Sequence, residues 1–190
     1  MRAIIAAIEA GNLDAEARLA VSNRRDAPAL AFAAAHGLAT VFIPTKADPD
    51  RADATLLAAL QSASVDLVVL SGYLRKLGPR TLAAYAGRVL NVHPALLPKF
   101  GGPGMYGRRV HEAVAASGDL ISGATVHVVD EEYDHGPPVA AIEVPLSPGD
   151  DAVAIEAKVT AAEPGLLVDV VRRISTGGLV LPGLAISNFR

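Results

Sequence analysis

Short apolar segments typical of β-strands alternate with alanine-rich segments typical of helices along most of the chain. This alternation predicts an α/β fold in which helices cover both faces of a mostly parallel sheet. In the run Asp66-Leu67-Val68-Val69-Leu70, every residue after the first is apolar, as in a strand buried on both faces. We predict strands at 17–21, 40–43, 65–70, 88–92, 124–129 and 139–144, and helices at 3–10, 28–36, 52–61, 79–85, 108–116 and 152–173.

Several connections refine this prediction. The last two strands are joined by residues 130–138 alone, which is too short for a helical crossover, so one of them should run antiparallel. Pro164 lies inside the last predicted helix and should kink it or split it. Gly11, Gly37 and Gly118 follow helical segments and suit left-handed caps. We treat residues 1–190 as a single domain in which residues 175–190 form a terminal appendage.

The composition restricts the possible functions. Apolar residues make up 51% of the chain, which argues against disorder. The net charge is −3 and no basic block occurs, so neither nucleic acid nor a membrane surface is an expected partner. The chain has no cysteine, which excludes disulfides and thiolate metal sites, and its histidines lack metal-ligand spacing. Without a recognisable signal peptide or an apolar run of membrane-spanning length, a cytoplasmic enzyme without a metal is the predicted class.

Two polar segments lie at the ends of predicted strands, Asn91-Val92-His93-Pro94-Ala95-Leu96-Leu97-Pro98 and Asp134-His135-Gly136-Pro137. They supply an amide, an imidazole and a carboxylate, a set that suits acyl-type transfer to an amine. An amide N–H and a protonated imidazole can stabilise a developing oxyanion, while a carboxylate can orient the imidazole and favour its protonated form. The purely structural alternative is that the first segment ends a strand and the second forms a turn.

The order of these segments resembles the folate-dependent formyltransferases, and within them the branch that acts on glycinamide ribonucleotide. Gly104-Met105-Tyr106-Gly107 followed by Val110-His111-Glu112-Ala113 adds to the resemblance, which extends over residues 1–181. It implies a three-layer α/β/α, Rossmann-like fold. It also implies transfer of a formyl group from 10-formyltetrahydrofolate, as co-substrate, to the amine of glycinamide ribonucleotide in de novo purine synthesis.

The resemblance also implies roles for individual residues. Asn91 would donate to the formyl oxygen, His93 would act as general acid or electrophile, and Asp134 would favour the imidazolium and act with a water in proton transfer. Pro94 and Glu163 would face the ribonucleotide, and His135, which departs from the family pattern, would face solvent. The folate would contact Asn91 and two chain segments, the first wall (Tyr73, Leu74, Arg75, Lys76 and Leu77) and the second wall (Val129, Asp130, Glu131, Glu132, Tyr133 and Asp134).

One feature of the resembled branch has no counterpart at the start of this sequence. There, a strand and a glycine-serine-asparagine loop that binds phosphate precede the first helix. Residues 1–11 match that helix, because Ala and Glu favour helix and Ile4 and Ile8 share one face. The alternative is that residues 1–8 form the first strand. If they are helical, the sheet lacks a central strand, and its exposed edges could pair with another chain, for example in a homodimer.

Other functions stay open at this stage. Another folate-dependent formyltransferase or a formyltetrahydrofolate hydrolase would use the same polar set, although such proteins usually carry an additional domain. A third possibility, from a different class, is a truncated, inactive remnant that binds folate.

Overall fold

The computed structural model describes residues 1–183, and its helices and strands follow the predicted order. Residues 184–190, the end of the predicted terminal appendage, lie outside the described residues. Leu181, which also belongs to the predicted appendage, packs in the main core. The helices are α1 (Arg2–Glu9), α2 (Pro28–Ala35), α3 (Pro49–Ser62), α4 (Pro79–Ala84), α5 (Arg108–Ser117) and α6 (Ala152–Ser175). The strands are β1 (Leu19–Ser22), β2 (Ala39–Phe42), β3 (Val68–Leu70), β4 (Val89–His93), β5 (Ile121–Val128) and β6 (Pro138–Pro145).

The strands form two separate sheets. Strands β1 and β2 pair in parallel, and the second sheet has the order β3-β4-β5-β6. Strand β3 runs parallel to β4, while β5 runs antiparallel to both β4 and β6. The prediction that one of the last two strands is antiparallel is therefore confirmed, and β5 is the reversed strand.

The start of the chain is helical, which decides between the two interpretations of residues 1–8. Helix α1 buries Ile5, and Ile4 and Ile8 pack against the main core. Strands β1 and β3 face each other without pairing, and both line two cavities of about 530 and about 430 Å³. The predicted gap at the centre of the sheet is thus present.

Helices cover both faces of the four-stranded sheet, as the three-layer prediction requires. Successive residues of a strand point to opposite faces. Leu90 belongs to a core cluster with residues of α5 and α6, whereas Val89 belongs to a second cluster with Leu60 of α3 and Leu82 of α4. Each face of β4 is therefore packed against its own helical layer.

Local details agree with the predictions except at Pro164. Gly11, Gly37 and Gly118 have φ angles of 70°, 74° and 71°, which confirms the left-handed conformation. Helix α6 continues without interruption through Pro164, so a split at this proline is wrong. Residues of α6 before and after it, including Val159 and Leu167, are buried in the main core, and this packing keeps the helix continuous.

Candidate active site

Strand β4 carries the first two residues of the candidate site. Asn91 and His93 are two positions apart, so their side chains leave the sheet on the face that Val89 occupies. His93 is the last residue of the strand and is 3% exposed. Pro94, which cannot donate a ladder hydrogen bond, follows it and is half-buried. The strand thus presents an amide and an imidazole at its carboxyl end.

The carboxylate comes from the loop between β5 and β6. Asp134 has a φ of 55°, a left-handed conformation that aspartate tolerates better than most residues. Its Oδ2 accepts a hydrogen bond from the Gly102 N–H at 3.0 Å and lies 3.4 Å from His93 Nδ1. Gly136 lets this loop pass close to β5, because a Cβ there would collide with the Val128 carbonyl. Loop and strand therefore bring His93 and Asp134 together from positions far apart in the sequence.

Both ring nitrogens of His93 face oxygen atoms. Nε2 lies 2.8 Å from the carbonyl oxygen of Phe100, and Nδ1 faces the Asp134 carboxylate. A carbonyl and a carboxylate can only accept, so both contacts are satisfied when both ring nitrogens carry protons.

The electrostatics of Asp134 follow from the same contacts. Burial alone would raise the pKa of this carboxyl, but the nearby His93 imidazole and the Gly102 N–H lower it and outweigh burial. The pKa of Asp134 consequently lies well below its ordinary value. The side chain is ionised at neutral pH and carries a full negative charge next to His93.

A second histidine, His127 of β5, completes the cluster. It is Asn91's direct partner in the antiparallel ladder, and its Nε2 lies 3.1 Å from Asn91 Nδ2. The same Nε2 is 3.6 Å from Asp134 Oδ1, and His127 is 2% exposed. Sequence reasoning did not assign His127 to the site. The missing information was the register between β4 and β5, which no local pattern specifies.

The two predicted folate walls lie next to each other. Lys76 Nζ donates to the backbone carbonyl of Glu131 at 2.8 Å and lies 4.9 Å from the centre of the Tyr133 ring. Both walls contribute to the cavity of about 430 Å³, which is lined among others by Tyr73, Arg75, Lys76, Leu77 and Tyr133. Tyr133, which lines this cavity, directly precedes Asp134 in the chain.

The remaining wall residues have identifiable positions. Leu74 is 60% exposed and lies outside the cavity lining. Val129 continues the main-chain pairing of β5, since its N–H donates to the carbonyl of Val89 at 2.8 Å. Asp130 accepts from the Glu132 N–H and contacts exposed His135 at 2.7 Å, so His135 faces solvent as expected.

Glu163 lies on α6 and is half-buried. Burial raises the pKa of its carboxyl, and the charge of His93 acts in the opposite direction. Among residues 1–183, no group of three or more His, Cys, Asp or Glu side chains could hold a metal ion. Within the same residues, no helix is long and apolar enough to cross a membrane.

Together, the fold and the site define an α/β protein with an amide, two imidazoles and a carboxylate gathered where a strand ends, a set suited to transfer of an acyl group. The formyl transferase family model matches residues 1–171, and the chain belongs to that family.

Relatives of known name support the same family. The chain is 35% identical over 175 residues to "Phosphoribosylglycinamide formyltransferase, chloroplastic" of Vigna unguiculata, covering 91% of this chain and 56% of that protein. It is 34% identical over 181 residues to phosphoribosylglycinamide formyltransferase of Escherichia coli K12, covering 94% of this chain and 83% of that protein. The chain therefore spans little more than half the length of the plant relatives, of which it covers 56% and 57%.

Solved structures with the same fold carry related names. Phosphoribosylglycinamide formyltransferase of Brucella melitensis superposes with a TM-score of 0.84 at 36% identity, covering 95% of this chain and 92% of the other. Glycinamide ribonucleotide transformylase 1 of Symbiobacterium toebii gives a TM-score of 0.86 at 30% identity, covering 97% and 88%. These similarities confirm the predicted fold class.

Proposed function

We propose that the chain transfers the formyl group of 10-formyltetrahydrofolate to the amine of glycinamide ribonucleotide, a step of de novo purine synthesis. The observation that carries this proposal is the cluster in which Asp134 lies 3.4 Å from His93 and the Asn91 amide is anchored beside them. Relatives named phosphoribosylglycinamide formyltransferase supply the substrate identities.

The proposed reaction is a direct acyl transfer. The amine attacks the formyl carbon, and the carbonyl oxygen becomes the oxyanion of a tetrahedral intermediate. Asn91 donates an amide N–H to this oxygen, an interaction whose loss in other enzymes lowers kcat about 10²- to 10³-fold. The C–N bond to the folate then breaks and tetrahydrofolate leaves with a proton. No covalent enzyme intermediate is required.

His93 and Asp134 have complementary roles in this scheme. Both N–H groups of the His93 imidazolium already have oxygen partners, so His93 stabilises the oxyanion mainly through its positive charge. Asp134 holds that charge in place and, through a water, receives the proton that the attacking amine loses. Of the two roles that the resemblance implied for His93, general acid or electrophile, this division favours the electrophile.

In the proposed complex, the two walls bind the folate and Glu163 binds the ribonucleotide. The folate lies against the first wall (residues 73–77) and the second wall (residues 129–134), where Lys76 and Tyr133 border the cavity of about 430 Å³. Glu163 accepts hydrogen bonds from the ribose hydroxyls, and Pro94 borders the glycinamide. We also propose a cytoplasmic location and pairing of two copies in a homodimer.

Hydrolysis of the formyl group is the alternative that the same chemistry allows, since water could replace the amine. The cluster contains no feature that would select water over an amine.

The decisive experiment incubates the chain with 10-formyltetrahydrofolate in the presence and absence of glycinamide ribonucleotide. Formation of formylglycinamide ribonucleotide in equal amount to tetrahydrofolate supports the proposal. Release of formate at the same rate without the ribonucleotide would establish hydrolysis instead. Binding of folate without either product would support the inactive remnant.

A further inference from the structure

We infer that His127 is a positioning residue that fixes the orientation of the Asn91 side-chain amide, so that an N–H rather than the carbonyl oxygen faces the oxyanion. The inference concerns a residue for which neither the sequence nor the proposed reaction provides a role. It deepens the proposed function, because it depends on Asn91 acting as the oxyanion donor.

The protonation of His127 follows from its first contact. Its Nδ1 lies 3.0 Å from the carbonyl oxygen of Val128, and a carbonyl oxygen can only accept a hydrogen bond. Nδ1 therefore carries a proton. In the neutral ring the other nitrogen, Nε2, is then an acceptor with a free lone pair.

The second contact of His127 is with Asn91, and it determines how the Asn91 amide is oriented. Nε2 of His127 lies 3.1 Å from Nδ2 of Asn91 and accepts one of its two N–H groups. The second N–H of the same nitrogen stays available to another acceptor. A flipped amide would place two acceptors, Oδ1 and the Nε2 lone pair, against each other. His127 thus selects the amide orientation that is useful for stabilising an oxyanion.

The burial of His127 and the register between β4 and β5 strengthen the preference for this amide orientation. His127 is 2% exposed and directly opposite Asn91 in the β4–β5 ladder, so water does not compete easily for its Nε2. Asn91 Nδ2 lies within hydrogen-bonding distance of Nε2 at 3.1 Å, whereas Asp134 Oδ1 lies farther away at 3.6 Å, and protonation of Nε2 would set two donors against each other at Asn91. The two histidines beside Asp134 therefore have different partners: both nitrogens of His93 face oxygen acceptors, whereas His127 faces one carbonyl oxygen and one amide nitrogen.

The test compares two substitutions of His127. Gln can place a side-chain oxygen near the position of Nε2 and accept from Asn91, whereas Leu cannot. We expect His127→Leu to lower kcat roughly tenfold to hundredfold with little change in either KM, and His127→Gln to retain most of the activity. In an Asn91→Ala background, His127→Leu should cause no further loss of kcat. Equal losses in both backgrounds, or equal losses for Gln and Leu in folded proteins, would overturn the inference.

A spectroscopic measurement keeps the inference testable if a variant fails to fold or the chain transfers no formyl group. In ¹⁵N NMR of the unsubstituted protein, the ring nitrogens of His127 should show the neutral tautomer with the proton on Nδ1. One Asn91 side-chain N–H should also exchange slowly with solvent. A doubly protonated His127, or the proton on Nε2, at neutral pH would contradict the inference, whatever the activity of the protein.

Discussion

Asp53 of α3 holds the first turn of α4 through Thr81. Its carboxylate accepts from the backbone N–H of Thr81 at 3.1 Å, from the Thr81 hydroxyl at 2.6 Å and from the Arg80 N–H at 2.9 Å. Asp53 is 5% exposed and Thr81 is fully buried. Because α4 directly follows residues 73–77, this contact also fixes the end of the first folate wall.

Removal of this buried cap should destabilise the protein. Asp53→Ala leaves the backbone N–H groups of Arg80 and Thr81 without their carboxylate partner, and we expect a loss of about 3 kcal/mol in the free energy of unfolding. Asp48→Ala is the matched control, because Asp48 caps the exposed start of α3 by accepting from the Arg51 N–H. The control should lose about 1 kcal/mol. Denaturant unfolding measures both, and similar losses would show that burial of Asp53 contributes nothing.

Substitution of His93 should remove most of the proposed activity. His93→Ala deletes the positive charge beside the oxyanion, and we expect kcat to fall about 10²- to 10⁴-fold while folate binding persists. His36→Ala serves as control, since His36 pairs with Glu9 on another part of the surface. Steady-state kinetics and folate titration measure the two effects. If His93→Ala retained normal turnover, His93 would have no part in the mechanism.

The Asp134 carboxylate should contribute stability that depends on pH. Its pKa is lowered in the folded protein, so its contribution is complete above the unfolded pKa and is lost as the pH falls toward the folded value. The Tm of the wild-type protein should therefore exceed that of Asp134→Asn at about pH 6, and the difference should shrink toward about pH 3. Calorimetry across this range measures the difference. A difference that does not vary with pH would show that Asp134 is not held by its charged contacts.

The contact between the two walls should affect folate binding rather than turnover. Lys76→Met removes the hydrogen bond to the Glu131 carbonyl and the contact with the Tyr133 ring. Because Lys76 is exposed, we expect only a threefold to tenfold increase in KM for the folate, about 1 kcal/mol, with kcat nearly unchanged. Lys46→Met, an exposed lysine outside both walls, should leave KM unchanged. A fall in kcat alone would contradict the proposed binding role.

Glu163 offers a test of the ribonucleotide site. Glu163→Gln should raise KM for glycinamide ribonucleotide about tenfold, because a charged acceptor of the ribose hydroxyls is replaced by a neutral amide, and should leave KM for the folate unchanged. Burial raises the pKa of this carboxyl, so its ionised form costs stability at neutral pH, and that cost disappears as the pH falls. The variant should therefore be at least as stable as the wild type at pH 7. An equal rise in both KM values would argue against a ribose contact.

The order of the elements could be predicted from the alternating patterns, which are local signals, and the convergence of Asn91, His93 and Asp134 from the resemblance to the formyltransferases. The partners of these residues could not. His127 reaches Asn91 through the register of two antiparallel strands, and Asp53 reaches Thr81 across two helices. Both contacts depend on how distant segments pack, which periodicity does not report. The alternative of a split at Pro164 is wrong for the same reason, because tertiary packing keeps α6 continuous there.

The unpaired edges of β1 and β3 have a consequence for cooperativity. Main-chain hydrogen bonds normally couple neighbouring strands, but here that coupling ends between the β1–β2 pair and the other four strands. The segment from β1 to β2 is then attached to the rest of the protein by side-chain packing and chain connections. The free energy needed to open this segment can therefore be lower than that of the sheet that carries Asn91, His93 and His127. The amino-terminal part can then unfold locally while these three residues keep their positions.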